Sequence, residues 1–149
     1  MIANTTKLNS AGPYLARLAG VHALTDVTGF GLAGHTLEIA RGSHLSAYID
    51  WEKVPLLSQV QGFADQGIIT GASDRNWQSY GQSVALPNNF SEAQKALLTD
   101  PQTSGGLLVS CDPTCTKEVL NIFKEHGFEA ASIIGEMVAK QEHELQLIL

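Results

Sequence analysis

The sequence predicts an α+β domain, a mixed β-sheet covered by helices. Three observations carry this. Apolar residues recur at helical spacing in some stretches, and at period two or in short unbroken runs in others. The two kinds of stretch alternate without a strict strand–helix–strand rhythm, which leaves room for hairpin-type links in the sheet. A chain of 149 residues, 44% of them hydrophobic, is enough for one ordinary core, so 1–149 reads as a single domain.

In chain order, the spacing predicts a helix over Pro13–Ala19, with Pro13 in its first turn. Val21–Thr28 begins with a nearly unbroken apolar run and reads as a central, buried strand. A helix follows over Phe30–Arg41, ended by Gly42 as its C-cap. His44–Trp51 alternates Leu45, Ala47, Ile49 and Trp51, the mark of a half-exposed strand. From Pro55, Leu56, Leu57, Val60, Phe63 and Ala64 stand at helical spacing, and Gly67 is the stop. Gly71–Gly81 is polar and reads as a surface loop. Val84–Leu86 is a short strand, and Ser91 caps a helix over Ser91–Leu98. Leu107–Ser110 is an apolar strand, after which Thr114 caps a helix with Val119, Leu120, Ile122 and Phe123 on one face and Gly127 at its end. Ala130–Val138 is another strand, and Glu144–Leu149 an edge strand.

Composition removes several classes of function. Nine basic against fifteen acidic residues leave a net charge of −6, with no strongly basic stretch. That argues against nucleic-acid and anionic-membrane partners. No apolar run approaches the roughly 20 residues of a spanning helix, and MIANTTKLNSAG lacks the basic start and apolar centre of a signal peptide. Cys111 and Cys115 have no second pair to complete a zinc site, so they read as ordinary thiols in a cytoplasmic protein. His22, His35, His44, His126 and His143 show no ligand spacing and read as structural or surface residues. There is no G-x-S-x-G elbow and no Walker lysine, so no nucleophile–base pair is expected.

Two stretches carry chemistry. In Leu24–His35, LTDVTGFGLAGH, a strand runs into a glycine turn and then a helix. The turn puts the Asp26 carboxylate beside the Thr25 and Thr28 hydroxyls, while Gly29 and Gly31 let a phosphate or a phosphate-bound metal approach the main chain. Asp26 is a hard oxygen ligand suited to Mg²⁺. The plainer alternative is a carboxylate that caps the helix or bonds local backbone. In DPQTSGG, 100–106, Pro101 restrains the entry and Gly105-Gly106 permits close approach by a ligand or another backbone. Asp100, Thr103 and Ser104 are its candidate binding residues, against the alternative of a rigid surface turn.

HALTDVTGFGLAGH together with DPQTSGGLL resembles the C-terminal domain of the selenide, water dikinases, or selenophosphate synthetases. These belong to a wider group that includes aminoimidazole ribonucleotide synthetase, and the resemblance runs from about Leu8 through Val138. It implies an aminoimidazole ribonucleotide synthetase C-terminal-domain-like fold. It implies an enzyme that makes selenophosphate from selenide, ATP and water, releasing AMP and phosphate, and that dimerises in its intact form. ATP and Mg²⁺ then lie mainly on an N-terminal domain that this chain lacks, which also carries a catalytic Cys or selenocysteine and a Lys. The present domain lends one metal-binding aspartate, Asp26, with Thr25 and Thr28 holding that carboxylate or reaching a metal-bound water. The fragment alone is expected to be inactive. Two alternatives stay open: a non-catalytic binding or regulatory module of the same fold, and a related ATP-dependent synthetase or kinase for another small molecule.

Overall fold

The computed structural model of the chain describes residues 5–149. Its helices are α1 (Gly12–Leu15), α2 (Gly31–Ser43), α3 (Val60–Asp65), α4 (Gly71–Tyr80), α5 (Glu92–Leu98) and α6 (Thr116–Glu125). Its strands are β1 (Val21–Asp26), β2 (Leu45–Asp50), β3 (Val84–Ala85), β4 (Leu107–Cys111), β5 (Gly135–Ala139) and β6 (Leu145–Ile148). The strands form two sheets. One is mixed, in the order β3-β6-β2-β5, with β6 parallel to both neighbours and β5 antiparallel to β2. The other is an antiparallel ribbon of β1 and β4.

Two cores follow from this arrangement. In the larger, Leu32, Ala33 and Leu37 of α2 pack on Ala47, Ile49, Leu145 and Leu147 of the mixed sheet, with Leu98 of α5 beside them. In the smaller, Ala11 and Leu15 meet Val119 and Phe123 of α6. The ribbon lies between them. Leu24, Leu107 and Val109 pack toward the smaller core and Leu108 toward the larger.

That position corrects the expectation of a central strand at Val21–Thr28. β1 pairs with β4 alone, and its apolar run arises because helices and sheet cover the ribbon from two sides. The expected edge strand at Glu144–Leu149 is likewise an inner one, with Leu145 and Leu147 buried between β3 and β2. Period-two alternation reports a buried face and says nothing of rank in the sheet.

The expected loop over Gly71–Gly81 is α4 instead. Its N-cap Thr70 accepts from the Ser73 amide, and its inward side chains are Ser73, Asn76, Trp77 and Tyr80. They stand at helical spacing but are held by hydrogen bonds more than by aliphatic contact, so the apolar period that would betray a helix is missing. The Ser73 hydroxyl reaches Ala96 O at 2.9 Å and Thr99 Oγ1 at 2.5 Å, and Tyr80 donates to Phe30 O at 2.5 Å.

Helix ends differ in detail. α2 runs through Gly42 and is closed by His44 in the left-handed region at φ 56°, because β2 starts at the next residue. Gly67 and Gly127 stop their helices with positive φ, as their positions predict. α3 spans less than its apolar spacing predicts, and Leu56 and Leu57 lie exposed ahead of it. Thr114 is not a cap. It sits in a 3₁₀ turn opened by Pro113, and α6 starts at Thr116. Ile133 is exposed and β5 begins only at Gly135.

At α5 the expected cap is a complete reciprocal box. Ser91 Oγ accepts from the Gln94 amide at 3.1 Å, and the Gln94 side chain accepts from the Ser91 amide at 2.8 Å. Replacing Ser91 by Ala is expected to cost about 1 kcal/mol, read as a lower urea midpoint with an unchanged slope.

Candidate functional site

The two glycine-rich loops, far apart in sequence, close one end of the ribbon together. Asp26, the last residue of β1, stands opposite Leu107, the first of β4. Beyond this pair the loops exchange backbone hydrogen bonds. The Val27 amide donates to Gly106 O at 2.9 Å, and the Gln102 amide donates to Thr28 O at 3.0 Å. Gly105 lies so close that a Cβ there would be 1.7 Å from Val27 O. Gly31, at φ +69°, backs onto the main chain of Thr99 just before the second loop. Asn76 of α4 ties both sides together by donating to Gly29 O and Thr99 O, each at 2.9 Å.

On this braced platform Asp26 is exposed. Among the described residues its carboxylate has no hydrogen bond or ion pair. It does not cap α2, whose N-cap is Phe30 without a side-chain bond, so the plainer local alternative for Asp26 is absent. Its neighbours do not hold it either. Thr25 Oγ1 donates to Asp26 O at 3.2 Å, and Thr28 Oγ1 pairs with His35 Nε2 at 3.2 Å. The expectation that these hydroxyls grip the carboxylate is therefore corrected: each is engaged elsewhere.

Gly29 is exposed, and a Cβ there would meet open space. In the second loop Thr103 and Ser104 are exposed, with no hydrogen bond among the described residues. Asp100 is spoken for: its Oδ1 accepts from Thr70 Oγ1 at 3.0 Å, at the start of α4. Burial holds its pKa above the usual carboxylate range, against the opposing pull of the Thr70 bond.

One group escaped the sequence reading. His35 is buried, and its Nδ1 lies 2.8 Å from Glu38 Oε2 while its Nε2 faces Thr28. The result is a hydroxyl–imidazole–carboxylate chain, where no such arrangement was expected. His35 follows Thr28 across a turn and a helix start, a separation that matches no recurrent motif. His22 behaves as predicted, meeting Asp112 at 3.3 Å on the open surface.

Tyr80 supports the same turn from below. Burial pushes its phenol up to about 12. A folded-state pKa above the unfolded value of about 10 favours the fold while the phenol is protonated. That contribution is complete below about pH 10 and is lost as pH rises through about 12. Tyr80→Phe is expected to flatten this alkaline loss of stability in denaturation curves between those values.

Chemically, the exposed part of the platform offers one hard oxygen ligand. Among the described residues no three His, Cys, Asp or Glu side chains converge to hold a metal. Asp26 thus fits one corner of an Mg²⁺ shell, an ion that commonly takes one or two carboxylates and fills the rest with water and phosphate oxygens. Asp26 lies outside the hollow at Ser73, Trp77, Lys95 and Thr99 and outside that at Pro87, Gln146 and Leu149. It stands on an open face.

Residues 3–148 match the family described as AIR synthase related protein, C-terminal domain. The chain belongs to that family. It is 61% identical over 139 residues to a selenide, water dikinase of Pseudomonas straminea, covering 93% of this chain and 39% of that protein. Its identity to the selenide, water dikinase of Paraburkholderia xenovorans is 59% over 139 residues, and to that of Rhizobium meliloti 50% over 139 residues. The chain spans 39% of the length of the first of these relatives. Among solved structures it is similar to HypE of E. coli, a hydrogenase maturation protein, with a TM-score of 0.62 at 19% identity, covering 89% of this chain and 33% of that one. HypE in its complex with HypF gives 0.60 at 20% identity, covering 87% and 34%. These structural likenesses show the fold, and it is the α+β fold of the AIR synthase C-terminal domain that the resemblance implied.

Proposed function

We propose that the chain is the C-terminal domain of a selenide, water dikinase, a phosphotransferase that forms selenophosphate from selenide, ATP and water with release of AMP and phosphate. The observation that carries this reading is 61% identity over 93% of the chain to a protein of that name, joined to an exposed, unpartnered Asp26 on a rigid two-loop platform. In this reading Asp26 is one ligand of Mg²⁺. Thr25, Thr28, Gly29 and Gly31 form the wall beside it, with Thr103 and Ser104 at the rim of the second loop. Asp100 braces that loop from behind through Thr70.

The partner is an N-terminal ATP-binding domain of the same enzyme, which supplies most of the ATP and Mg²⁺ contacts. The intact enzyme is a homodimer in the cytoplasm. No helix among the described residues is long and apolar enough to cross a membrane. Bound Mg²⁺ neutralises phosphate charge as it develops. The chain's own residues keep a carboxylate at a fixed point on an open face, where a second domain can close over it. With one ligand the domain binds the ion poorly by itself, so the 149 residues alone are inactive.

The test is AMP formation from ATP, with and without selenide, by this chain alone and by the two-domain protein that contains it. Selenide-dependent AMP release by the two-domain protein only is the expected result. AMP or ADP release independent of selenide would replace this reading with that of a related synthetase or kinase.

A further inference from the structure

We propose that His35 is a positioning residue that turns the Thr28 hydroxyl into an acceptor-only oxygen, so that Thr28 serves the cation side of the site and not the phosphates. The inference rests on the reading of Asp26 as an Mg²⁺ ligand and deepens it. A chain of bonds runs from the Thr28 hydroxyl through the His35 imidazole to the Glu38 carboxylate. Glu38 Oε2 lies 2.8 Å from His35 Nδ1 and accepts there, so the proposal puts the imidazole's single hydrogen on Nδ1. Nε2 then has a lone pair and no proton. The Thr28 hydroxyl, 3.2 Å away, must donate to it. Once that proton is committed, Thr28 Oγ1 has only lone pairs for anything that approaches the turn.

The surroundings hold this state. His35 is 7% exposed, and the ring of Phe30 lies against it with centroids 5.9 Å apart, which keeps water from competing at the imidazole. His35 and Glu38 share a face of α2, and the helix is anchored at its start by Gly31 against Thr99. An oxygen that cannot donate repels phosphate oxygens and suits a cation or a water bound to one. Two residues from Asp26, it extends the reach of one carboxylate without adding charge.

Two measurements decide this. Nitrogen-15 NMR of the 149-residue chain at neutral pH is expected to show His35 with its proton on Nδ1 and a bare Nε2. A proton on Nε2 would overturn the proposal, whatever the enzyme does. In the two-domain enzyme, Thr28→Val and His35→Leu are each expected to raise the Mg²⁺ concentration for half-maximal rate by about 10- to 100-fold. The KM for ATP at saturating Mg²⁺ stays near its unaltered value, and the double variant is no worse than the poorer single one. Losses that multiply in the double variant, or a raised KM for ATP with Mg²⁺ demand unchanged, would overturn it. If the unaltered two-domain protein shows no selenide-dependent AMP release, the dikinase reading fails, and the tautomer is still decided by the spectrum.

Discussion

Asp26→Asn in the two-domain enzyme is expected to lower selenide-dependent AMP release by on the order of 100-fold or more, while the fold stays intact. Even residues that only orient metal ligands cost 10- to 100-fold when removed, and Asp26 is proposed as a ligand itself. The substitution keeps shape and hydrogen-bonding reach but removes the charge that a hard divalent ion needs. Because the carboxylate is exposed and unpartnered among the described residues, its loss leaves no buried group unsatisfied. Melting of the isolated chain should therefore move by less than about 2 °C. Part of the lost activity should return at raised Mg²⁺, since the proposed site takes its remaining ligands from the other domain. Near-normal AMP release at low Mg²⁺ would take Asp26 out of the metal site. A collapse in melting temperature would mean the residue holds the fold together, contrary to its exposure.

The sequence made this residue visible because its turn is chemically odd. A carboxylate, two hydroxyls and two glycines between an apolar strand and a helix are hard to explain as packing alone. The glycines of the second loop stood out for the same reason, yet the meeting of the loops could not be read. Each loop offers the other backbone amides and carbonyls, which every residue has, so no side-chain pattern announces the contact. The same blindness hid α4. Its inner face is Ser73, Asn76, Trp77 and Tyr80, and hydrogen bonds to Ala96, Thr99, Gly29 and Phe30 do much of the work that leucines do elsewhere. His35 was invisible because its role depends on Thr28 and Glu38 at once, one across a turn and one along a helix. By contrast α2, β2, α5 and α6 were legible, since the aliphatic period marks them directly and Ser91 caps α5 as expected. The order of strands stayed hidden as well, as β6 shows.

Gly105→Ala is expected to destabilise the chain by about 3 kcal/mol or more, lowering its melting temperature by roughly 6–12 °C. The obstacle is not torsional, for Gly105 is not among the glycines with positive φ. It is steric. The new Cβ would sit 1.7 Å from Val27 O and 2.8 Å from Gln102 Oε1. Val27 is core and its carbonyl is rigid, so the loop must retreat. Retreat breaks the Val27–Gly106 and Gln102–Thr28 backbone bonds and the bond from Asn9 Nδ2 to Gly105 O, releasing the platform under Asp26. Gly29→Ala supplies the contrast. Its Cβ points into open space and its φ is ordinary, so stability should stay within about 0.5 kcal/mol. If Gly29→Ala nevertheless slows the two-domain enzyme, the methyl is meeting something that enters only in the assembled site. Thermal melts of both variants, read beside their rates, then separate the glycine that joins the loops from the glycine that leaves room for a ligand. Equal stability of the two variants would mean that the loops are not wedged together at Gly105.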